Sequence, residues 1–273
     1  MLRLLWQELK FRRGAMLGWG IGLCFFPVVY IGIYPSVASE MGNLSELEIY
    51  KMLGMNLGTF SGWIASILIA FMPMVACIYA IINGTGTLAA EEEDGRLEML
   101  VTLPLPRWQI VIVKALALSI SIAVIFLIVA GVSWMVFIAI GDQVETDIVA
   151  TDMFRVVLSA LPLVLTMGML SLFFAAFAPN RRIASTLAAV VLIVSYFGDN
   201  LSQSTDALDP LKPFFLYTYL DSTPDAVING QQAGDVLVLA LIGLIAFTLA
   251  IYFFEHRNLT VGVWPWQRPQ VER

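Results

Sequence analysis

The sequence predicts an all-α integral membrane protein: six transmembrane helices, an N-terminal interfacial elbow helix, and short re-entrant helices before the last span. Three observations carry that prediction. Hydrophobic residues fill 59% of the 273 positions and charged residues only 13%, against roughly 25% charged in a soluble domain. The mean hydropathy is +0.83. Six apolar runs, at 14–34, 62–88, 108–140, 154–178, 183–197 with its flanks, and 236–254, punctuate the chain, and a spanning helix needs only about 18 such residues. No stretch remains for a soluble catalytic domain. The reading is one domain, with an elbow at 1–13 and a transmembrane domain at 14–273 that includes a charged connection at 89–107 and an outer segment at 198–235.

The first element is "MLRLLWQELKFRR". Leu2, Leu5, Trp6 and Leu9 recur at helical spacing, with Arg3, Gln7, Lys10 and Arg12 on the opposite side. A helix with a Trp/Leu face and a basic face lies in the membrane interface, here as an elbow into span 1; an ordinary topology anchor has the same physics. "SVAS" at 36–39 resembles a cleavage site, but the apolar run before it exceeds the roughly 7–15 residues of a signal core, so the segment reads as retained. Span 1 carries Gly14, Gly18 and Gly22 at every fourth position. Small residues so spaced let helices approach closely in lipid, which marks either a contact between subunits or packing against a span of the same chain. Cys24 and Cys77 fall inside spans and read as small buried apolar side chains.

Orientation follows from Lys and Arg, which are enriched in short cytoplasmic loops. With both ends on one side, that side holds twelve: Arg3, Lys10, Arg12, Arg13, Arg96, Arg107, Lys114, Arg181, Arg182, Arg257, Arg268 and Arg273. The other side holds Lys51, Arg155 and Lys212. Both termini are therefore placed in the cytoplasm. The net charge of −6 comes largely from acids in the outer loops, and nothing points to nucleic acid.

Of the loops, 35–61 contains "SELEIYKMLGMNLG", a short outer helix, and 141–152 is short and acidic. Asp152 and Arg155 stand three apart at the head of span 4, the spacing of an ion pair. "PNRR" at 179–182 is a tight inner turn. The segment 198–235 mixes Pro210, Pro213 and Pro224 with Phe214, Phe215, Tyr217 and Tyr219. It reads either as short helices dipping in from outside, a lid over an exit path, or as an aromatic belt.

The densest charge lies in "LAAEEEDGRLEMLVTLPLPRWQIVIVK", residues 88–114. One central acid costs about 2.5–3.5 kcal/mol on the insertion scale, so Glu91, Glu92, Glu93, Asp94 and Glu98 together belong in water. The flanking runs 62–88 and 108–140 reach about 40 and 50 Å at about 1.5 Å per residue. Both exceed a hydrocarbon core of about 30 Å and carry the connection clear of it. On a helix, Glu91, Asp94 and Glu98 share one face, while Leu97, Leu100, Val101 and Pro104 share a neighbouring one. Gly95 weakens that helix by about 1 kcal/mol and marks a bend or a close backbone approach. Pro104 and Pro106 end it. The inner leaflet is itself negative, so an acidic stripe fits a docking helix for a protein partner better than a membrane-lying one; a solvated loop is the alternative.

"EEEDGRLEMLVTLPLPRWQIVIVK" resembles the cytoplasmic signature of type-2 ABC transporter permeases, the ABC-2 membrane family. That signature reads Glu-x-Glu-x-Gly-Thr-Leu-Glu-x-Leu-Leu-x-x-Pro-x-Ser-Arg with a Lys seven residues later. Glu91, Glu93, Gly95, Leu97, Glu98, Leu100, Pro104, Arg107 and Lys114 match it, while Arg96 replaces Thr and Pro106 replaces Ser. "FEHRNL" at 254–259 is similar to the family's Phe-x-Arg-Arg-Asp-Ile ending, with His256 and Asn258 as departures. The resemblance implies a permease subunit of an ATP-driven exporter in the cell (inner) membrane. Two permeases pair, identical or not, and each receives a separate ATPase subunit that carries ATP and Mg. Glu91, Glu93, Asp94, Gly95, Arg96, Leu97, Glu98, Leu100, Pro104 and Arg107 would form the coupling helix seated in that ATPase.

Other chemistry lacks its parts. A phosphate loop needs G-x-x-x-x-G-K-[ST], and the nearest stretch, "NGTGT" at 83–87, has no Lys. His256 is the only His, so no catalytic triad or His-rich metal site is available. The chain reads as no enzyme and binds no cofactor itself. Intramembrane charges that would mark an ion route are nearly missing. Lys114 reads as an anchor that snorkels to the inner interface, with a span 2 carboxylate as candidate partner. Asp199 reads as an exposed loop acid. A nearly uncharged path favours an amphiphilic or lipid-like cargo. The alternatives are a membrane scaffold or channel that recruits a soluble partner, and a secondary transporter, which the missing charges and repeats disfavour.

Overall fold

The computed structural model describes residues 2–44, 59–93, 106–144, 146, 148–203 and 205–256. Among these, every regular element is helical, because in hydrocarbon each backbone N–H and C=O must find a partner within its own segment or a closed sheet. Six stretches are long and apolar enough to cross a membrane: Leu2–Ala38, Phe60–Leu88, Arg107–Ile140, Asp152–Phe177, Arg181–Ser202 and Ala233–His256. They are spans 1 to 6 of a multi-pass membrane protein. The end that holds Arg12, Lys114 and Arg181 is called the basic end below, and the end that holds Asp199, Asp221 and Asp235 the acidic end.

Span 4 is the hub. It packs on spans 2, 5 and 6, and small residues set the distances. A Cβ on Gly84 of span 2 would lie 2.6 Å from the Ser171 side chain and 3.2 Å from the Gly168 carbonyl of span 4. A Cβ on Gly243 of span 6 would meet Thr166 at 3.4 Å. Span 4 itself is divided into Asp152–Leu158 and Leu161–Phe177, with Pro162 in the first turn of the second helix, where its missing N–H costs nothing. "NGTGT" is thus part of a buried helical seam within Met72–Glu93 and not a loop.

Spans 1 and 2 each widen into a π-type turn, at Pro27–Ile31 and Ala65–Ile69. Rings join them from the middle outward: Trp19 to Tyr79, Phe26 to Phe71, Tyr30 to Trp63 and Tyr34 to Phe60, with centroids 4.9–6.0 Å apart. The Trp63 indole N–H donates to the Tyr30 carbonyl at 2.8 Å, in a stretch where Pro27 and Pro35 interrupt the backbone ladder.

The N-terminal segment is continuous with span 1. Leu2–Leu23 is one unbroken helix, since a single Gly14 costs only about 1 kcal/mol and no proline intervenes. Leu2, Trp6 and Phe11 are exposed while Arg12 is buried, so the inward side carries charge. The proposed outer helix in 35–61 falls largely on residues 45–58, outside the described residues.

At the acidic end, two tight helical turns, Asp206–Phe214 and Leu216–Tyr219, precede the short helix Pro224–Asn229. They fold back onto span 5. Phe214 is exposed, but Phe215, Leu216 and Tyr217 are buried, and a Cβ on Gly198 would strike the Phe215 ring at 2.5 Å. Asp199 is no loop acid: it lies within Arg181–Ser202 and accepts hydrogen bonds from the Thr218 hydroxyl at 2.7 Å and the Gln203 amide at 3.1 Å. Arg155 pairs with Asp152 at 3.3 Å, as its spacing predicts. It also donates to the Val227 and Ile228 carbonyls, the last turn of Pro224–Asn229. Gly230 ends that helix at φ +88°, a conformation that strains any side chain. At the other end "PNRR" is a turn whose Asn180 side chain accepts from the Ile183 N–H at 2.9 Å.

Candidate functional site

The charged connection begins and ends in a shared frame. Glu91 and Glu93 lie in the last turn of Met72–Glu93, and Arg107 is the first residue of Arg107–Ile140, after an extended Pro106. Asp94, Gly95, Arg96, Leu97, Glu98, Leu100 and Pro104 lie outside the described residues. Just inside these two ends, one apolar cluster joins Leu88 of span 2, Ile110 and Val111 of span 3, Leu172 of span 4, and Ala250 and Phe254 of span 6. Spans 2 and 3 thus leave the bundle from a common packed base, which fixes the spacing of the ends that any connection must bridge.

Beside that base lies a cluster that composition alone did not reveal. Lys114 Nζ lies 3.1 Å from Glu8 Oε1, and Arg12 Nε lies 3.8 Å from Glu8 Oε2. Side-chain exposure is 1% for Lys114, 8% for Arg12 and 13% for Glu8. Lys114 thus meets a carboxylate that the N-terminal helix supplies. The physical reason is direction. Lys114 faces the seam that span 1 fills, and span 1 brings the Glu8 carboxylate into it. Two signals pointed here. Glu8 and Arg12 stand at i, i+4, and a lysine deep in a 34-residue apolar helix demands a counter-charge.

The glycine stripe resolves into two sides. Gly20, which the stripe omits, faces span 3, where a Cβ would meet the Ile128 side chain at 3.1 Å. Gly14, Gly18 and Gly22 face outward, and a Cβ on any of them meets nothing within 4 Å. Among the described residues, packing within the chain therefore does not use the stripe. Gly18 and Gly22 floor an open groove of about 370 Å³ walled by Trp19, Phe26 and Val75. On span 5, Val190, Ile193, Val194, Phe197 and Leu201 form a second uncovered apolar face.

Two other hollows frame the bundle. A groove of about 570 Å³ between spans 3, 4 and 6 is apolar apart from Ser119 and Thr166, and the Thr166 hydroxyl is already engaged with the Pro162 and Leu239 carbonyls at 2.9 and 2.8 Å. At the acidic end, a polar hollow of about 240 Å³ is lined by Asp199, Tyr217, Thr218, Asp221 and Asp235 among others. Burial pushes the Tyr217 hydroxyl well above the ordinary tyrosine pKa. Among the described residues, no three His, Cys, Asp or Glu side chains converge as metal ligands would.

The family model described as "ABC-2 family transporter protein" matches residues 2–259. The chain belongs to the ABC-2 transporter family. No curated protein matches it. As an ABC-2 permease it is a membrane transport subunit, and membrane subunits of this family work with ATPase partners in ABC transporters. The match begins at Leu2, so the helix that carries Glu8 and Arg12 is part of the family's own domain.

Proposed function

We propose that this ABC-2 permease is the membrane subunit of an ATP-driven exporter. It pairs with a second permease, identical or not, and couples to two separate ATPase subunits that hold ATP and Mg. The observation that carries the reading is the acidic signature between two overlong spans, in a chain that matches the family almost end to end. Glu91, Glu93, Asp94, Gly95, Arg96, Leu97, Glu98, Leu100, Pro104 and Arg107 form the coupling element between spans 2 and 3. The twelve-to-three division of Lys and Arg supports placing the basic end and both termini in the cytoplasm, in a cell (inner) membrane. The unfilled Gly14, Gly18 and Gly22 face supports its use between the two permeases. Closure of the ATPases would move the coupling elements as rigid bodies, tilt spans 1, 2 and 5, and open a path for an amphiphilic cargo.

The test uses the permease expressed with its ATPase. Gly95→Trp combined with Glu98→Arg puts bulk at the bend and reverses a charge on the docking face. The pair of changes is expected to abolish ATPase co-purification and transport while leaving membrane insertion intact. Unchanged co-purification would sink the docking role.

A further inference from the structure

The basic end poses a question that the exporter reading leaves open: how does displacement of span 3 reach span 1, whose glycine face is open to a second subunit? Three contacts tie these spans along their length. The Glu8–Lys114 ion pair is first, the Gly20–Ile128 approach second. Third, a Cβ on Gly32 would lie 4.0 Å from Val136. The partners rise together along both helices, so the two run parallel. Between the first two contacts, 12 residues of span 1 and 14 of span 3 make about 18 and 21 Å of helix at about 1.5 Å per residue, so the helices stay in register. Toward span 2, by contrast, span 1 offers mainly rings, and its helix Leu2–Leu23 packs far more closely on span 3 than on span 2.

Only the first contact is directional. Apolar contacts in a membrane slide, because lipid competes for the same surfaces. Sliding a buried ion pair pulls its charges apart in a low-dielectric seam, which is strongly unfavourable. Lys114 lies two helical turns into span 3 from Arg107, where the connection joins it. Glu8 lies less than two turns before Gly14, where the open face begins.

We propose that Glu8 is the positioning residue of the transport stroke: through Lys114 it straps span 1 to span 3. Displacement of the start of span 3 is thereby delivered to the Gly14, Gly18 and Gly22 face. Arg12 Nε stands 3.8 Å from the far carboxylate oxygen, without a hydrogen bond, and its charge helps to aim Glu8. The proposal rests on the exporter reading, and its test separates the two.

Lys114→Met is the informative change, because it removes the cation that meets span 1 and leaves Glu8 beside Arg12. Nitroxide pairs are placed at Lys10 and Arg182, and at Leu116 and Arg182, all exposed positions, in a chain with Cys24→Ala and Cys77→Ala. In the permease–ATPase complex, vanadate trapping with ATP and Mg is expected to shift both distances. In Lys114→Met the Leu116–Arg182 shift persists and the Lys10–Arg182 shift is lost, and the charge exchange Glu8→Lys with Lys114→Glu restores it. A Lys10–Arg182 shift that survives Lys114→Met overturns the strap and leaves the exporter reading standing. A wild-type complex in which neither distance responds overturns the exporter reading, and the stroke with it. In the permease alone, the nitroxide at Lys10 is expected to gain mobility in Lys114→Met and lose it again in the charge exchange. Unaltered mobility also overturns the strap.

Discussion

Gly20 and Gly18 are two residues apart on one helix and have opposite surroundings. Gly20 touches Ile128 of span 3, whereas Gly18 faces open space. Gly84 of span 2, pressed on Ser171 and the Gly168 carbonyl, belongs with Gly20. The contrast separates closed seams, where the chain has filled its own small-residue gaps, from an open face, where it has not. Spacing tells where a helix can be approached. Packing alone tells whether the partner is already present.

The seam between spans 1 and 3 offers the largest effect. Glu8→Ala would leave Lys114 and Arg12 buried without the carboxylate they share, and breaking such a pair costs about 3–5 kcal/mol. Thermal unfolding of the solubilised permease should show a loss in that range, together with a fall in monodisperse yield. A loss below about 1 kcal/mol, the range of a surface pair, would mean that the cluster is solvated. Next comes the seam between spans 2 and 4. Gly84→Val adds atoms where even a Cβ would lie 2.6 Å from Ser171, and overpacking of a tight core costs about 1–3 kcal/mol. Gly84→Ala paired with Ser171→Gly should recover part of the stability, because the second change removes the atom that the first would meet.

The acidic end is closed by hydrogen bonds as well as by apolar packing, and its single bonds matter less. Thr218→Val removes the 2.7 Å bond to Asp199 and is expected to cost about 0.5–1.5 kcal/mol, as for a typical hydrogen bond. Limited proteolysis reads it more sharply than melting does, because the bond fastens the turn Leu216–Tyr219 to span 5. Faster cleavage near residues 206–219, with little change in the unfolding midpoint, is the expected result.

These seams also show what the sequence could and could not disclose. The six spans were legible because uninterrupted apolar length is a property of the chain itself. Asp152–Arg155 was legible for a related reason, being local. Lys114 announced that it needed a carboxylate but not which one, since Glu8 lies 106 residues away and only the packing of spans 1 and 3 joins them. Asp199 was misplaced because an acid at the end of an apolar run reads as exposed until Thr218 and Gln203 are seen to satisfy it. That the N-terminal helix runs unbroken past Gly14 was not legible, because an amphipathic pattern carries no signal for the lack of a breaker. At the charged connection, the residues from Asp94 to Pro104 lie outside the described residues, so their role stands on the signature and the family.

The smallest expected effect on the chain is the most telling for the comparison. Gly18→Ile places a bulky side chain on the floor of the open groove, where a Cβ meets nothing. The isolated chain should hold its stability to within about 0.5 kcal/mol, as for a surface change away from special features. If two permeases meet on this face, the same substitution must push their backbones apart, because close approach in lipid depends on small side chains. Cross-linking through a cysteine at the neighbouring Leu17, exposed on the same side of the helix, should then fall steeply in Gly18→Ile at unchanged protein stability. Gly20→Ile should do the reverse, weakening the chain first through Ile128. Should Gly18→Ile destabilise the single chain as much as Gly20→Ile does, the division between open face and closed seam is wrong.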